Sequence, residues 1–537
     1  MHRLPYWLVL CSAAMPFGAA AADIDSLFKA YNAETPGCAV GVSRDGQSAT
    51  LRAYGSADLE HAVSNSPETI FEAGSVSKQF TAAAVLMLAE EGKLALTDDI
   101  RKYLPEMPDY GATITINHLL SHTSGLRDWG AVLGLGGWPR TSAIHTNLDV
   151  LHIAARQRAL NYSPGSAYSY TNTGYNLSAV IVERVSGKSL AVFTRERLFL
   201  PLGMTKTSWR DDFRRVVPGR AIAYEAKTDE GFPQDMPFED AYGNGGLLTT
   251  VGDLLAWNQV LTARKLGAFV TDRLEEQAVL TDGRKIFYAR GLMRGTFNGV
   301  PEITHSGSTA GYRAWIGRFP SQGVGVAVLC NVASANATQL ARDAAAQVLT
   351  FKPEAPVKPT NATADEAVQL PGLYVDERTG ASSRITVSKG VVKISGTAAD
   401  ARETDLARLT ARHYRNGTAE LVFLGGSVER RTLDGEVTTY RKVEPYTPTA
   451  AELEALAGRY ASDEADARLL LAVTDGGLVL TPANRPSAPM TLTPLSRDLY
   501  RDDDGLTAIV RNTGGEVTGL RFIRPRVYSM VFGRLPD

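Results

Sequence analysis

The sequence predicts an α+β domain followed by two antiparallel β-barrel domains. Strand-like runs occur at residues 36–54 and again at 301–331 with helical periodicity between them, so the second run completes a sheet that the first begins. In the last third of the chain, short β-rich runs are separated by turn signals, which is typical of barrels or sandwiches. Leu370-Pro-Gly-Leu-Tyr374 recurs as Leu456-Ala-Gly-Arg-Tyr460, and this repeat predicts two related β-domains.

Length and composition agree with this division. A chain of 537 residues is expected to form about three domains, at about 150 residues per domain. A proline-bearing stretch with little apolar periodicity predicts a linker after the α+β domain. The predicted boundaries are 1–22 for a cleavable leader, 23–350 for the α+β domain, 351–368 for the linker, and 369–446 and 452–537 for the barrels.

Turn and periodicity signals place the elements of the first domain in order. Asp45-Gly46 predicts a hairpin with a return strand at 48–54. Residues 71–92 are predicted to form a short polar turn that leads into a helix, and residues 113–126 a helix that leads into a turn. We expect further helices at 147–158, 174–185, 250–261 and 335–349. The segment from Gly130 to Arg140, rich in glycine and tryptophan, is predicted to be a loop over a cleft.

The charge balance limits the partners. Apolar residues make up 44% and charged residues 21%, as in soluble globular proteins. With a formal charge of −2, the chain has no excess of positive charge that would attract nucleic acid or an anionic membrane. We therefore expect a small, non-polyanionic substrate.

The first 22 residues are predicted to be a signal peptide. A basic end, a short apolar run and an Ala20-x-Ala22 site suggest cleavage before Asp23. Cys11 follows Leu10, where lipid attachment requires a small residue, and no later stretch approaches about 18 consecutive apolar residues. The mature protein is expected to be periplasmic or secreted, with no membrane anchor.

Two cysteines, Cys38 and Cys330, remain after the leader, and both lie in strand-like runs. An exported protein could oxidise them, and antiparallel neighbouring strands would bring them together. We favour the alternative, two buried thiols that act as small apolar groups.

Ser75 and Lys78 are the first candidate catalytic pair. Their spacing puts both side chains on one helical face, with Cβ atoms about 5–6 Å apart. Apolar flanking residues predict a buried helix, and burial disfavours the ammonium form of lysine, so Lys78 becomes a base able to activate Ser75. Ser26 and Lys29 have the same spacing on an amphipathic segment that would expose both side chains, and we do not expect chemistry there.

Tyr170-Thr-Asn172 is the second candidate motif, on a turn between Ser163-Pro-Gly165 and the next helix. Its phenol could relay a proton to a leaving group, and the Asn172 amide could contact a substrate amide. Tyr242-Gly-Asn244 and Tyr414-Arg-Asn416 share the pattern, so the motif is weak by itself.

His305-Ser-Gly307 begins the final strand cluster and is the third motif. Glycine lets a substrate approach the strand closely, and the Ser308 N–H could stabilise an oxyanion together with the Ser75 N–H. The alternative is a histidine that merely ends a strand beside a turn.

Taken in order, the three motifs resemble those of the penicillin-recognising serine hydrolases, which include class C β-lactamases, D,D-carboxypeptidases, esterases and D-aminopeptidases. Leu119-Leu-Ser-His-Thr-Ser-Gly-Leu126, Pro201-Leu-Gly-Met204 and Gly245-Gly-Leu-Leu-Thr-Thr250 are similar to the same family. The resemblance implies a β-lactamase-like antiparallel sheet flanked by helices with a helical subdomain, followed by lipocalin-like barrels.

The resemblance also implies roles for the residues and an acyl-enzyme without metal or cofactor. Ser75 would be the nucleophile, Lys78 its base and Tyr170 the proton relay. The substrate-binding residues would be Asn172, His305, Gly307 and Ser308. His122 would be structural.

This chain departs from the family at His305, which stands where the family has the lysine of Lys-Thr-Gly. Imidazole is mostly neutral near pH 7, so the usual clamp on a substrate carboxylate is weakened and penicillin is disfavoured as the main substrate. Arg313 could supply a replacement charge. A histidine here, followed by two barrels, resembles the three-domain D-aminopeptidases, although the barrel loops that would recognise an amine cannot be matched.

We therefore expect an exported serine hydrolase that cleaves amide or ester bonds of small D-amino-acid or peptide-like substrates. One alternative is a β-lactamase or D,D-carboxypeptidase, and another is a non-catalytic binder of penicillin or cell-wall peptides. Substrate choice is expected to depend on His305, the segment from Gly130 to Arg140 and the two barrels.

Overall fold

A computed structural model describes residues 24–138, 143–352, 361–397, 401–417, 419–432 and 437–536. The predicted leader at 1–22, Arg140 and most of the predicted linker lie outside these residues. Among the helices that the structure describes, none is both long and apolar enough to cross a membrane.

The first domain is built on a six-stranded antiparallel sheet. The strands of this domain are β1 (Cys38–Arg44), β2 (Gln47–Tyr54), β3 (Ser56–Asp58), β4 (Val63–Ser64), β5 (Phe71–Glu72), β6 (Ser208–Trp209), β7 (Leu247–Thr249), β8 (Met293–Phe297), β9 (Val300–Thr309), β10 (Tyr312–Phe319) and β11 (Val324–Cys330). The order of strands in the six-stranded sheet is β2-β1-β11-β10-β9-β8. The two strand-like runs form one sheet, as the sequence predicted, and within it β1 pairs directly with β11.

This pairing corrects the expectation of two buried thiols. Cys38 lies directly opposite Cys330 in the register of β1 and β11, and a disulfide joins them with Cα atoms 4.0 Å apart. Antiparallel pairing brings the two sulfur atoms together because the first residue of one strand faces the last residue of the other.

The helices of the first domain are α1 (Lys78–Glu90), α2 (Ile116–Leu120), α3 (Trp129–Leu135), α4 (Asn147–Ala155), α5 (Thr173–Ser186), α6 (Leu190–Thr194), α7 (Val251–Thr262), α8 (Gly267–Glu275) and α9 (Ala337–Ala346). Helix α1 is buried along nearly its whole length, and its core contacts include α5 and α8. Burial on every side explains why α1 is rich in alanine, which allows close packing.

Helix α3 replaces the loop predicted from Gly130 to Arg140. Asp128 caps it by accepting hydrogen bonds from the main-chain N–H groups of Gly130 and Ala131. Its buried side chains Trp129, Val132 and Leu135 pack in one cluster with apolar residues of the second barrel. Tertiary burial thus stabilises a helix whose glycines disfavour it locally.

Two antiparallel β-domains follow, which confirms the predicted fold class. The first is a nine-stranded sheet: β12 (Gly372–Val375), β13 (Ser382–Ser388), β14 (Val391–Ser395), β15 (Thr404–Asp405), β16 (Ala407–Thr410), β17 (His413–Asn416), β18 (Ala419–Leu424), β19 (Ser427–Thr432) and β20 (Val437–Val443). The second is a closed barrel: β21 (Gly458–Ser462), β22 (Ala467–Thr474), β23 (Gly477–Pro482), β24 (Met490–Ser496), β25 (Leu499–Arg501), β26 (Leu506–Arg511), β27 (Val517–Arg524) and β28 (Val527–Arg534).

The repeated tyrosine motif has the same structural role in both β-domains. A short capped helix precedes each first strand, α10 (Ala364–Gln369) in one and α11 (Ala450–Glu454) in the other. The Tyr374 hydroxyl then donates to the carbonyl oxygen of Leu370 at 2.9 Å, and the Tyr460 hydroxyl donates to that of Leu456 at 2.6 Å. In each β-domain the hydroxyl of the buried tyrosine has its hydrogen-bond acceptor just after the preceding helix. This shared contact explains why the leucine and the tyrosine recur together.

An ion pair joins the second barrel to the first domain. Arg127, whose side chain is 4% exposed, donates from Nη1 to Glu464 Oε2 at 2.6 Å and to Gln157 Oε1 at 3.0 Å. Glu464 Oε2 also accepts from the main-chain N–H of Arg158 at 2.6 Å. The barrel is thereby fixed at the end of the first domain that carries α3.

Candidate active site

Ser75 lies on a short 3-10 turn that leads directly into α1. This turn meets strand β9 so closely that only glycine fits at either side. A Cβ atom on Gly74 would lie 2.6 Å from the main-chain nitrogen of Ser308, and one on Gly307 would lie 2.0 Å from the carbonyl oxygen of Ala73. The two glycines therefore hold Ser75 against the edge of the strand that carries the third motif.

Lys78 is fully buried, and three polar contacts are described for its Nζ. Nζ lies 3.1 Å from Ser75 Oγ, 3.0 Å from Asn172 Oδ1 and 2.6 Å from the carbonyl oxygen of Asn244. In its neutral form the amine would donate its two protons to the two carbonyl oxygens and accept the Ser75 proton on its lone pair. The geometry thus suits the removal of a proton from Ser75 by Lys78.

Asn244 was not among the residues predicted for the site. The sequence offered Tyr242-Gly-Asn244 only as a weaker copy of the tyrosine motif. Its glycine-rich run passes close to α1, where the carbonyl of Gly243 accepts a hydrogen bond from Thr81 Oγ1 at 2.8 Å. The Asn244 side chain also accepts from Asn176 Nδ2 at 2.8 Å, which fixes the carbonyl that faces Lys78.

Tyr170 lies beside Ser75 and Lys78, with Lys78 Nζ 4.8 Å from the centre of its ring. Burial raises the pKa of Tyr170 above its usual value, and a hydrogen bond with Ser75 only partly opposes this shift. The phenol therefore keeps its proton at neutral pH and is able to donate it.

Asn172 is held by Asp128, whose Oδ2 accepts from the Asn172 main-chain N–H at 2.7 Å.

His305 faces the cleft as a neutral imidazole. Its Nδ1 lies 2.6 Å from the carbonyl oxygen of Ser306, which only accepts, so Nδ1 carries the proton. Nε2 then accepts from the Tyr288 hydroxyl at 3.2 Å. Burial, together with the nearby Lys78, lowers the pKa of His305 to about 3. His305 therefore brings no positive charge to the cleft at neutral pH.

His122 lies behind the tyrosine motif. Its ring centre is 4.2 Å from that of Tyr170, and its Nδ1 accepts from the main-chain N–H of Thr171 at 3.2 Å. Burial lowers the pKa of His122 well below the usual value. These contacts position the motif, in keeping with the structural role expected from the sequence.

A cleft of about 640 Å³ opens over Ser75. It is lined by Ser75, Tyr170, Asn172, Met293, His305, Ser306, Gly307, Ser308, Arg313, Ala314, Ala335, Asn336, Ala337, Thr338 and Arg526. All of the substrate-binding candidates from the sequence lie in this lining, and Arg313 does as well. Arg526 was missed, because nothing in the sequence links the turn between β27 and β28 to residues so far away along the chain.

The site combines a serine hydroxyl with a buried lysine, a protonated phenol and a strand edge. This combination is that of a serine hydrolase that acts on amide bonds. The chain belongs to the Beta-lactamase family, whose family model matches residues 24–350. Its two additional β-domains give it the architecture of the D-aminopeptidases among the penicillin-recognising serine hydrolases.

Relatives and solved structures agree with this assignment. A D-aminopeptidase from Gluconobacter oxydans is 29% identical over 360 residues, which are 67% of this chain and 66% of that relative. A D-aminopeptidase from Cereibacter sphaeroides is 29% identical over 530 residues, covering 93% of this chain and 97% of the relative. The octameric penicillin-binding protein homologue from Pyrococcus abyssi superposes with a TM-score of 0.57 at 25% identity, over 80% of this chain and all of that one.

One solved structure shares the fold across nearly the whole chain. SurE superposes with a TM-score of 0.51 at 21% identity, over 97% of this chain and 99% of its own. The similarity therefore extends beyond the first domain to the two β-domains.

Proposed function

We propose that this protein is an exported hydrolase that cleaves the amide bonds of D-amino acid amides and short D-amino-acid peptides through an acyl-enzyme on Ser75. The observation that carries the proposal is the buried Lys78, whose Nζ lies 3.1 Å from Ser75 Oγ and is held by two carbonyl oxygens. The D-aminopeptidase relatives, one of them similar along nearly the whole chain, support the choice of substrate.

In acylation, Ser75 Oγ attacks the carbonyl carbon of the amide while Lys78 Nζ takes the hydroxyl proton. The main-chain N–H groups of Ser75 and Ser308 stabilise the oxyanion of the tetrahedral intermediate. Tyr170 donates its proton to the leaving nitrogen, the C–N bond breaks, and the phenol regains a proton by way of Lys78. Water then cleaves the ester, so that one amide and one water give a carboxylic acid and an amine.

Two observations support export. Residues 1–22 have the composition of a signal peptide. The disulfide between Cys38 and Cys330 is typical of proteins in oxidising compartments. N-terminal sequencing of the protein recovered from a periplasmic extract or medium tests this part, and a mature form that still begins at Met1 would contradict it.

The substrate proposal is tested with matched p-nitroanilides of D- and L-amino acids, with nitrocefin as the β-lactam. We expect hydrolysis of the D-anilides, little hydrolysis of the L-anilides and slow turnover of nitrocefin. Ser75→Ala should abolish hydrolysis, whereas Ser26→Ala, in the exposed pair of the same spacing, should retain it. Equal activity on L-anilides, or rapid nitrocefin turnover, would overturn the proposal.

A further inference from the structure

The second barrel places an arginine in the cleft. Pro525 and Arg526 form the turn between β27 and β28, and Arg526 lines the cleft over Ser75. The Arg526 carbonyl oxygen accepts from the Asp128 main-chain N–H at 3.2 Å and from Asn161 Nδ2 at 3.0 Å. Asn161 Oδ1 accepts in turn from the Tyr528 main-chain N–H at 2.9 Å. The turn is therefore anchored to the first domain at Arg526 itself and at Tyr528.

The guanidinium of Arg526 lies over the site of chemistry. Its central carbon is 5.2 Å from the centre of the Tyr170 ring, and the side chain is 42% exposed. Asp128 Oδ2 is 3.9 Å from Nη1, but that carboxylate already accepts from the Asn172 N–H and caps α3. The ion pair of Arg526 with Asp128 is thus long, and the guanidinium N–H groups of Arg526 lie at the space that a substrate enters.

The charged side chains described in the lining of the cleft are cations. Arg526 and Arg313 line it, and the described residues of the lining include no carboxylate. Arg313 is partly occupied, since its Nη1 donates to the carbonyl oxygen of Ala310 at 2.7 Å. His305 is neutral, as its two ring nitrogens are engaged by Ser306 and Tyr288. Arg526 is therefore the cation best placed to bind an anion above Tyr170.

We propose that Arg526 binds the carboxylate of the residue released by the enzyme, so that the preferred substrate is a short D-peptide ending one residue beyond the scissile bond. This inference rests on the proposed function. Tyr170 is the residue proposed to protonate the leaving nitrogen, and the α-carboxylate of a leaving amino acid is two bonds from that nitrogen. A guanidinium over the Tyr170 ring is thus within reach of this carboxylate, which it matches as a bidentate partner.

The test compares D-alanyl-D-alanine with its C-terminal amide, which share the same scissile bond. Mass spectrometry of the products gives kcat/KM for that bond in each compound. We expect the full-length enzyme to favour the dipeptide at least tenfold. Arg526→Gln should reduce this preference at least tenfold, chiefly through KM for the dipeptide, and Arg526→Lys should restore part of it. Arg468→Gln, an exposed arginine on β22 of the same barrel, should not change the preference.

The outcomes separate this inference from the function on which it rests. Hydrolysis of both compounds without preference, or an equal loss on both in Arg526→Gln, would overturn the inference and leave the proposed function standing. If neither compound is hydrolysed and every D-anilide is inert as well, the inference and the proposed function are both overturned.

Discussion

Lys78 Nζ donates to the main-chain carbonyl oxygen of Asn244 at 2.6 Å, the shortest of the three polar contacts described for this amine. The acceptor belongs to the backbone, and the Asn244 side chain holds that carbonyl in place by accepting from Asn176 Nδ2 at 2.8 Å. Together with the hydrogen bond to Asn172 Oδ1, it holds Nζ 3.1 Å from Ser75 Oγ. The base is therefore positioned by the fold before substrate binds.

Replacement of this base should slow acylation. We expect Lys78→Ala to lower kcat for a D-anilide by about 10³-fold, within the range typical of a lost general base. Stopped-flow release of p-nitroaniline measures the acylation step. Lys29→Ala, from the exposed Ser-x-x-Lys pair, is the matched control and should match the wild type. A Lys78→Ala enzyme within tenfold of wild type would rule out lysine as the base.

The contact between Gly307 and the Ser75 turn should tolerate no side chain. A Cβ at Gly307 would lie 2.0 Å from the Ala73 carbonyl oxygen, so Gly307→Ala must push β9 away from the turn. We expect a loss of about 1–3 kcal/mol in unfolding free energy and about 100-fold in kcat/KM. In the same sheet, a Cβ at Gly295 would lie 3.8 Å from Glu302 Oε1, an ordinary contact. Gly295→Ala should change neither quantity, and equal effects of the two substitutions would refute this account.

The buried ion pair at the barrel interface should matter more than its exposed neighbour. Glu464→Ala leaves the Arg127 guanidinium buried without its carboxylate, and we expect a loss of about 3–5 kcal/mol in unfolding free energy. Asp463→Ala removes an exposed pair with Arg158 across the same interface, for an expected loss below about 1 kcal/mol. Urea denaturation of both variants measures the difference. Similar losses would mean that the Arg127 pair adds nothing specific to the interface.

The buried histidines should make the protein less stable in mild acid. The pKa of His122 is lowered in the folded state, so the unfolded chain binds an extra proton as the pH falls below about 6.5. Stability is therefore lost as the pH decreases through that value. His122→Asn should reduce the loss of unfolding free energy between pH 7 and pH 5, measured by urea denaturation at each pH.

His61 provides the control for this pH dependence. It is exposed, and a hydrogen bond to Asp58 raises its pKa, so its contribution is present in acid and is lost as the pH rises. His61→Asn should therefore leave the acid loss undiminished. An unchanged acid loss in His122→Asn would exclude His122 as a source of the effect.

The sequence predicted the parts of the site that are local in the chain. The spacing of Ser75 and Lys78 and the order of the three motifs indicated the family, because each motif carries its own turn or helix end. Helix α3 was missed since its stability comes from burial of Trp129 and Leu135 against a distant barrel. Asn244 contributes a main-chain oxygen, which leaves no signal in residue type, and Arg526 depends on how the second barrel docks.

The turn that carries Arg526 couples the cleft to the folding of the second barrel. The six-stranded sheet beside the Ser75 turn is closed by β11, whereas Arg526 reaches the cleft only when β27 and β28 pair with each other. The same barrel covers Trp129 and Leu135 of α3. Local opening of the barrel would therefore withdraw Arg526 from the cleft and uncover an apolar face of the first domain at the same time.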